Sequence, residues 1–339
     1  MVLPPVLSPP LSEKLATLGI RLTEFRPDDE LEQILAELAG LPAKDVVRAS
    51  REINAAARLG WWTKERQQRG QWSNRWPEWN LLRTNPNYAW LFLFHSDGFA
   101  REAALDAIHD PPPSPFFFAA LAWRLNDWAE PVRRAATRCA GRVLPRTSID
   151  VAAKAAFYLL DRRLVWGRWR NEPAILDAVI ERQDVIEALV QNFFTRGTGP
   201  FPTYLRHLLR YPNIDVHLPR LASSAKEPSV KAIAYQCLIS GKASWVVGFE
   251  WVWIDKVYFA RRRVPVLETR EIRNDRSPAD LIREAARDRS AIVRRAAADA
   301  LIATRSQIPD AAALIAQLAK DKNPSVRSRA DYMLRHPVT

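Results

Sequence analysis

Apolar and small residues recur along the chain in a short pattern that occurs five times. In each copy an anchor residue is followed directly by a basic residue, and alanine stands four positions after the anchor; the anchors are Ala100, Val132, Val230, Val293 and Val326. Successive anchors lie 32, 98, 63 and 33 residues apart, close to one, three, two and one units of 32–33 residues. A fixed period of this length is typical of stacked helix pairs. The pattern predicts an all-α chain of repeated helix pairs, with a helix starting at each anchor.

The residues around each anchor favour a helix that begins there and packs tightly. In three copies proline stands one or two positions before the anchor, where the first helical turn tolerates it because its amides have no partner within the helix. The alanine four positions after the anchor lets a neighbouring helix approach closely. These alanines are Ala104, Ala136, Ala234, Ala297 and Ala330. Seven positions after the anchor the copies carry Ala107, Cys139, Cys237, Ala300 and Met333, which predicts a core position and two buried, unpaired thiols.

The basic residue after each anchor is Arg101, Arg133, Lys231, Arg294 or Arg327. In three copies an aspartate stands six positions before it: Asp127, Asp288 and Asp321. This arrangement resembles the HEAT repeat family, whose units carry Asp in the turn between two helices and Arg or Lys early in the second helix. The resemblance implies a right-handed α-solenoid in which these side chains form a hydrogen-bonded ladder along the stack. The ladder would comprise Asp127, Arg133, Asp288, Arg294, Asp321 and Arg327, whereas the third copy carries Ala225 at the aspartate position.

Two regions depart from the repeat. Residues 1–90 are predicted to form a helical N-terminal region, followed by a repeat solenoid over 91–339. Within the first region, 61–90 holds six of the thirteen tryptophans, which form either a cap over the open end of the stack or an exposed binding platform. Near 244–264 an aromatic insertion interrupts the solenoid, and its apolar pattern fits either a buried helix or a two-stranded insertion. Such an insertion is often where partners bind.

Net charge is +12 and is unevenly distributed. Residues 124–170 hold 11 basic and 4 acidic side chains, and residues 255–339 hold 18 and 11, so each block carries +7. Basic blocks attract phosphate backbones or acidic proteins. An alternative is that the excess of basic residues comes from codon usage in a GC-rich genome and from the repeat itself. Of the 50 basic residues 40 are arginine, and several of these belong to the implied ladder.

Two sets of arginine and tryptophan are candidate binding surfaces; in the first the pairing suits cation–π contacts and nucleic-acid binding, with a solvated helix end as the alternative. The first holds Arg162, Arg163, Trp166, Arg168, Trp169 and Arg170, and the second holds Trp251, Trp253, Arg261, Arg262 and Arg263. If the partner is a protein, we expect the hot spots among exposed Trp and Arg of 61–90 and 244–264. If it is nucleic acid, we expect one groove lined by Arg133, Arg134, Arg162, Arg163, Arg168, Arg170, Arg294 and Arg295.

The sequence contains few of the residue patterns that are typical of catalytic and metal sites. None of the five histidines is followed by Glu, so the paired His-Glu metal sites of HEAT-like di-iron hydroxylases have no counterpart, and we predict no metal and no cofactor. No apolar run approaches the ~20 residues that span a bilayer, and the N-terminus lacks signal-peptide features, so we predict no membrane partner and a cytoplasmic location.

The sequence therefore predicts a non-enzymatic scaffold that binds another macromolecule on its concave face, with an acidic protein surface as the leading partner. The alternative is nucleic acid, including a DNA glycosylase of the HEAT-like alkylpurine type. In that class a carboxylate beside aromatic and Arg side chains assists departure of a cationic base, and Asp127-Trp128 is the nearest counterpart here. A regulator that caps one toxin or enzyme is a third possibility.

Overall fold

The computed structural model describes residues 4–23, 29–60, 77–162, 164–168 and 173–337. Helices, 3₁₀ helices included, account for 66% of the described residues, and 18 of them are α-helices, so the prediction of a mainly helical chain is confirmed. The chain divides into two compact units, Met1–Val185 and Ile186–Thr339. The boundary predicted at residue 90 stays a prediction. Of the tryptophans in 61–90, Trp61, Trp62, Trp72 and Trp76 lie outside the described residues.

The first unit is built from ten helices in the described part of the chain. They are α1 (Pro9–Thr23), α2 (Leu31–Ala39), α3 (Val46–Ala56), α4 (Pro77–Thr84), α5 (Tyr88–Phe92), α6 (Gly98–Ala107), α7 (Pro115–Arg124), α8 (Glu130–Val143), α9 (Ile149–Arg162) and α10 (Pro173–Ile180). Its core centres on α7, where Ser114 caps the first turn and Phe116, Phe117 and Phe118 are all buried. Helix α8 packs against both α6 and α7.

Helix α11 (Gln183–Thr195) leads into the second unit. The remaining helices are α12 (Phe201–Leu208), α13 (Leu218–Ser224), α14 (Pro228–Ser240), α15 (Pro278–Ala286), α16 (Ala291–Thr304), α17 (Ala311–Ala319) and α18 (Pro324–Arg335). They form successive pairs, α13 with α14, α15 with α16 and α17 with α18. The second helix of each pair also packs on the second helix of the next, α14 on α16 and α16 on α18.

The helix starts predicted from the repeat are confirmed. Each anchor is the third residue of its helix, in α6, α8, α14, α16 and α18. All five anchors and all five alanines that follow four positions later are buried. Cys139 and Cys237 are buried free thiols, as predicted, and burial raises the pKa of each to about 12. The repeated positions therefore mark the buried face of each of these five helices.

The aromatic insertion is a two-stranded antiparallel sheet, the departure from an all-helical chain among the described residues. Strand β1 (Lys242–Asp255) pairs with β2 (Ala260–Glu271), from Lys242 opposite Glu271 to Asp255 opposite Ala260. Of the two alternatives for 244–264, the structure has the two-stranded one, and it is longer than expected. Helix α14 ends at Gly241, whose φ of +66° is a left-handed conformation that glycine adopts without strain.

This hairpin, residues 242–271, corrects one reading of the repeat spacing. The 63 residues between the anchors of α14 and α16 equal two units by length alone. The hairpin accounts for 30 of them, so 33 remain, which is a single unit. Its ends meet, because the Ile272 amide donates to the Gly241 carbonyl at 2.8 Å. One helix pair and an inserted hairpin therefore occupy the space that the spacing assigned to two pairs.

Candidate binding surfaces

Asp127 is the centre of a buried ion cluster in the first unit. Arg101, from the first turn of α6, donates through Nε and Nη2 to the two carboxylate oxygens of Asp127, at 3.0 and 2.9 Å. Arg124 adds a third bond of 2.6 Å through Nη1, and the Ala129 amide adds a fourth of 3.1 Å. The side chain of Asp127 is 1% exposed, and those of Arg101 and Arg124 are 4% and 7% exposed. The carboxylate is thus fully engaged by protein donors.

The same contact recurs in the second unit. Arg294 of α16 donates through Nε and Nη2 to Asp321 at 2.5 and 2.9 Å. In the preceding copy Lys231 of α14 reaches Asp288 at 3.0 Å. The hydrogen bond to Arg294 is the largest contribution that holds the pKa of Asp321 below its usual range. We call each such bond, from the basic residue of one copy to the aspartate of the next, a ladder contact.

Within one copy the basic residue and the aspartate are joined differently. Arg133 donates through Nη1 to the backbone carbonyl of Asp127 at 2.8 Å, and Arg327 does the same to the carbonyl of Asp321 at 2.8 Å. Arg294 makes the corresponding bond to the carbonyl of Asp288 at 2.9 Å. The guanidinium therefore caps the turn of its own copy and, where an aspartate follows, links to the next copy.

A cleft of about 440 Å³ opens beside the Asp127 cluster. Arg101, Arg124 and Asp127 lie in its lining, together with exposed Arg51, exposed Arg168 and the indole of Trp128, which is 72% exposed. The guanidinium of Arg124 lies 3.7 Å over the ring of Trp123. The lining thus holds four guanidinium groups and one carboxylate.

Two groups in the lining of the cleft, His95 and Arg124, have lowered pKa values. Burial lowers the pKa of His95 to about 4, and the charge of Arg101 acts in the same direction. Its Nδ1 accepts a hydrogen bond of 3.0 Å from the Asp97 amide, which requires a neutral ring. Burial also lowers the pKa of the Arg124 guanidinium, while Asp127 opposes that shift. The cleft offers cations and aromatic rings, with a carboxylate already bound by two arginines.

The hairpin presents a second surface, in the second unit. On one side of the sheet, the aromatic face, Phe249, Trp251 and Trp253 of β1 stand beside Arg261 and Arg263 of β2. The guanidinium of Arg261 lies 3.7 Å over the Trp253 ring, and that of Arg263 lies 4.1 Å over Phe249. Trp251, opposite Arg263, is 64% exposed. Aromatic and cationic groups here alternate across an exposed surface.

The other side of the hairpin, the aliphatic face, is exposed as well. It carries Val252 opposite Arg262 and Glu250 opposite Val264, and the exposed Ile254 follows at the register shift between Trp253 and Asp255. At the turn, Val257, Tyr258 and Phe259 are 79%, 82% and 80% exposed. A folded chain seldom leaves this much contiguous apolar surface in water unless the surface binds something.

The base of the hairpin is fixed to its own unit. Arg270 of β2 makes a two-pronged contact with Asp215, in which Nη1 and Nη2 each donate at 2.6 Å. It also donates to the carbonyls of Leu209 and Tyr211, at 3.0 and 3.1 Å. Two parallel N–H bonds define direction as well as distance. These bonds fix the base of the hairpin to the helices of its unit, and the distal half extends from that base.

The first arginine–tryptophan cluster predicted from the sequence is only partly described. Arg163, Trp169 and Arg170 lie outside the described residues. Trp166 is 8% exposed and packs edge-on against Tyr158 at 6.1 Å, which corrects the prediction that it lies on an exposed surface. Arg162 lies 5.2 Å over that tyrosine ring, and Arg168 is exposed at the cleft.

The predicted groove arginines on the helices have separate environments. Arg134 is exposed and pairs with Glu130 at 3.5 Å. Arg295 is exposed on α16, whereas Arg133 and Arg294 are engaged with their own turns. Sequence reasoning missed Arg124, although its position three residues before Asp127 is a signal for an ion pair on one helical turn.

No protein-family model matches this chain, and no curated protein matches it. Among the described residues, no group of three or more His, Cys, Asp or Glu side chains could hold a metal ion. No described helix is both long enough and apolar enough to cross a membrane. The cleft and the hairpin are the two candidate binding surfaces of the described residues.

Proposed function

We propose that this chain is a non-enzymatic scaffold of HEAT-like helix pairs that binds an acidic partner protein, and that the hairpin is its main contact. The concave face expected from the resemblance remains a prediction. The hairpin contains 244–264, one of the two regions, with 61–90, where the sequence led us to expect protein-binding hot spots among exposed Trp and Arg.

The HEAT-like architecture is supported by two independent regularities. Every anchor is the third residue of a helix and is buried, as expected if each copy is the same structural unit. The ladder contacts Arg101–Asp127, Lys231–Asp288 and Arg294–Asp321 then join one copy to the next. Neighbouring repeats that each cannot bury an apolar face alone gain stability by such stacking.

The observation that carries the functional proposal is the exposed aromatic face of the hairpin. Tryptophan, tyrosine and arginine dominate the energetics of protein interfaces; this face holds tryptophan and arginine, and Tyr258 stands exposed at the adjacent turn. Residues 249–266 hold four basic side chains and two acidic ones, a net charge of +2. The arginines already lie over aromatic rings, so fewer rotamers remain to be ordered when they bind a carboxylate. An acidic partner with apolar residues matches both features.

A catalytic role for the sequence-level candidates finds less support. Asp127 accepts four hydrogen bonds from protein donors and is buried, so it is poorly placed to act as a base. The buried thiols have pKa values raised to about 12, far above those of nucleophilic cysteines. These groups are better explained as structural.

Selection from a displayed library of random peptides tests the proposal. We expect full-length protein to enrich peptides that combine Asp or Glu with aromatic or aliphatic residues. The triple variant Arg261→Glu, Arg262→Glu, Arg263→Glu should lose them. A matched control with the same charge change, Arg287→Glu, Arg289→Glu, Arg295→Glu, alters exposed arginines of α16 and of the turn that joins α15 to it, and this control should retain the peptides. Absence of acidic enrichment, or equal loss in both variants, would overturn the proposal.

The cleft of the first unit favours a second candidate, binding of nucleic acid. Its exposed Arg51 and Arg168 beside Trp128 combine charge with a stacking surface. Fluorescence anisotropy with single- and double-stranded DNA over a salt series tests this candidate. A steep fall of log K with log salt, weakened in Arg51→Gln, Arg168→Gln, would support it. No binding at low salt would remove it together with the glycosylase alternative.

A further inference from the structure

The two outer edges of the hairpin differ in their capacity to accept another strand. In the described part of the chain the sheet has two strands, so each strand has one unpaired edge. An unpaired edge presents backbone N–H and C=O groups that can pair with an extended segment. Which edge is available depends on the residues of each strand.

Strand β2 carries features that discourage pairing. Pro265, opposite Phe249, has no backbone N–H to donate. Three consecutive arginines, residues 261–263, add three positive charges to the same strand. Natural proteins protect sheet edges with proline and charged side chains of this kind. The outer edge of β2 is therefore blocked.

Strand β1 has register shifts at Val247 and Ile254, and between them it lacks such protection. Residues 249–254 contain no proline and no basic residue, and five of the six are aromatic or β-branched. Each of the six is exposed. Aromatic and β-branched residues favour extended pairing. The outer edge of β1 is open for a length suited to strand addition.

The two faces of β1 specify the residues of an added strand. Alternate side chains of that strand would lie next to the aromatic face, where Arg261 and Arg263 rest over the rings of β1. The remaining side chains would lie next to Val252 of the aliphatic face, where an acidic residue would also approach Glu250. Acidic residues suit the first set and aliphatic residues suit the second.

We propose that an extended acidic segment of the partner protein binds by adding a third strand to the outer edge of β1, with alternating acidic and aliphatic side chains. This inference rests on the proposed function and specifies how the partner docks. Backbone hydrogen bonds supply affinity in this mode, and the alternating side chains supply specificity.

A second copy of the chain is a poorer occupant of the same edge. The charged residues of β1 beyond its first position are Glu250 and Asp255, both acidic. Pairing β1 with β1 of another copy would therefore place carboxylates near one another, and this part of neither strand would supply a cation to pair with them. Like charges near each other across a strand pair are destabilising. A separate acidic segment meets the arginines of β2 instead.

The test uses the full-length chain and synthetic peptides. One is a short peptide in which glutamate alternates with valine, and another is the best acidic peptide from the display selection. Isothermal titration measures binding to each and to a control in which lysine replaces glutamate. Each backbone amide of the binding peptide is then N-methylated in turn. Strand addition predicts an alternation, in which every second methyl group weakens binding about tenfold and the others have little effect. Hydrogen exchange should also slow in 249–254 when the peptide binds.

The outcomes separate the two proposals. If an acidic peptide binds but the N-methyl scan shows no alternation and β1 exchanges at its free rate, strand addition is overturned while the acidic partner remains. If neither peptide binds, the proposed function itself is overturned, and the strand-addition inference falls with it. Concentration-dependent dimerisation that protects β1 without peptide would show that a second copy occupies the edge, and would overturn the inference.

Discussion

Replacement of Asp127 by asparagine should strongly destabilise the first unit. The carboxylate accepts two bonds from Arg101 and one from Arg124, and all three side chains are at most 7% exposed. Asparagine keeps the shape but removes the charge, so two buried guanidinium groups lose their counterion. Breaking a buried pair by removal of one partner typically costs about 3–5 kcal/mol.

The matched control is Asp321→Asn in the second unit. Asp321 occupies the same position of the repeat but pairs with one guanidinium, that of Arg294, whose side chain is 18% exposed. Water can replace part of the lost interaction there. We expect a cost of about 1–3 kcal/mol, the range for a hydrogen bond to a charged group.

Hydrogen exchange followed by mass spectrometry can assign each effect to its own helices. Because 1.4 kcal/mol corresponds to a factor of ten, amides of α6 and α7 should open about 100- to 4000-fold more often in Asp127→Asn. Amides of α16 and α18 should open about tenfold more often in Asp321→Asn, with α6 and α7 unchanged.

Equal effects of the two substitutions would contradict this reasoning, because the difference in burial is the basis of the predicted difference in cost. A cost below about 1 kcal/mol for Asp127→Asn would have the same consequence, since that is the value expected for an exposed pair. In that case packing of the small residues would hold α6, α7 and α8 together without help from the ion cluster.

Three further predictions concern groups outside the ladder contacts. The pKa of His95 is about 4 folded against 6.5 unfolded, so the stability that its neutral form contributes is present above pH 6.5 and is lost as pH falls from 6.5 to 4. In urea titrations the free energy of unfolding of the wild type should fall by about 3 kcal/mol more over that pH interval than that of His95→Asn, which keeps an acceptor for the Asp97 amide. Equal decreases would show that His95 does not cause this pH dependence. Iodoacetamide at pH 8 should leave both Cys139 and Cys237 unmodified in native protein and alkylate both in urea, so native alkylation of either would contradict their burial. Replacement of 247–266 by Asn-Gly should shift Tm by less than about 2 °C and abolish binding of acidic peptides, whereas a large loss of stability would show that the distal hairpin supports the helices.

The repeat predicted the helix starts because its signals are local. Proline near the first turn, a buried anchor and a small residue one turn later describe a single helix and its neighbour. Such features need no knowledge of distant contacts, and all five starts agree with the structure. The core position of Cys139 and Cys237 follows from the same register.

The spacing failed where an insertion has nearly the length of a repeat. The hairpin adds 30 residues between the anchors of α14 and α16, which is only slightly shorter than one 32–33-residue unit. Length alone cannot distinguish the two. The β-branched and aromatic residues of 245–254 were the available signal, but both faces of the hairpin carry apolar residues, so the period of two expected for a strand was obscured.

The partners of the ladder residues depended on tertiary structure. The sequence identified Asp127 and Arg133 as members of one copy, but the carboxylate pairs with Arg101, 26 residues earlier. Arg124 and the cleft beside it arise from the way α6, α7 and the turn before α8 meet. The spacing of residues in the sequence cannot predict this tertiary contact, because its side chains come from separate elements.

The insertion point explains how the chain can carry an exposed arm without loss of helix packing. The Ile272 amide closes the hairpin onto the Gly241 carbonyl, so α14 and α15 are joined as closely as by a short turn. Lys231 consequently still reaches Asp288 at 3.0 Å, although the hairpin lies between them in sequence. The residues that stabilise the second unit and those that form the proposed binding arm are therefore different sets. Because they share few contacts, substitutions in 249–266 should change binding without changing stability, and substitutions at the ladder aspartates should do the reverse.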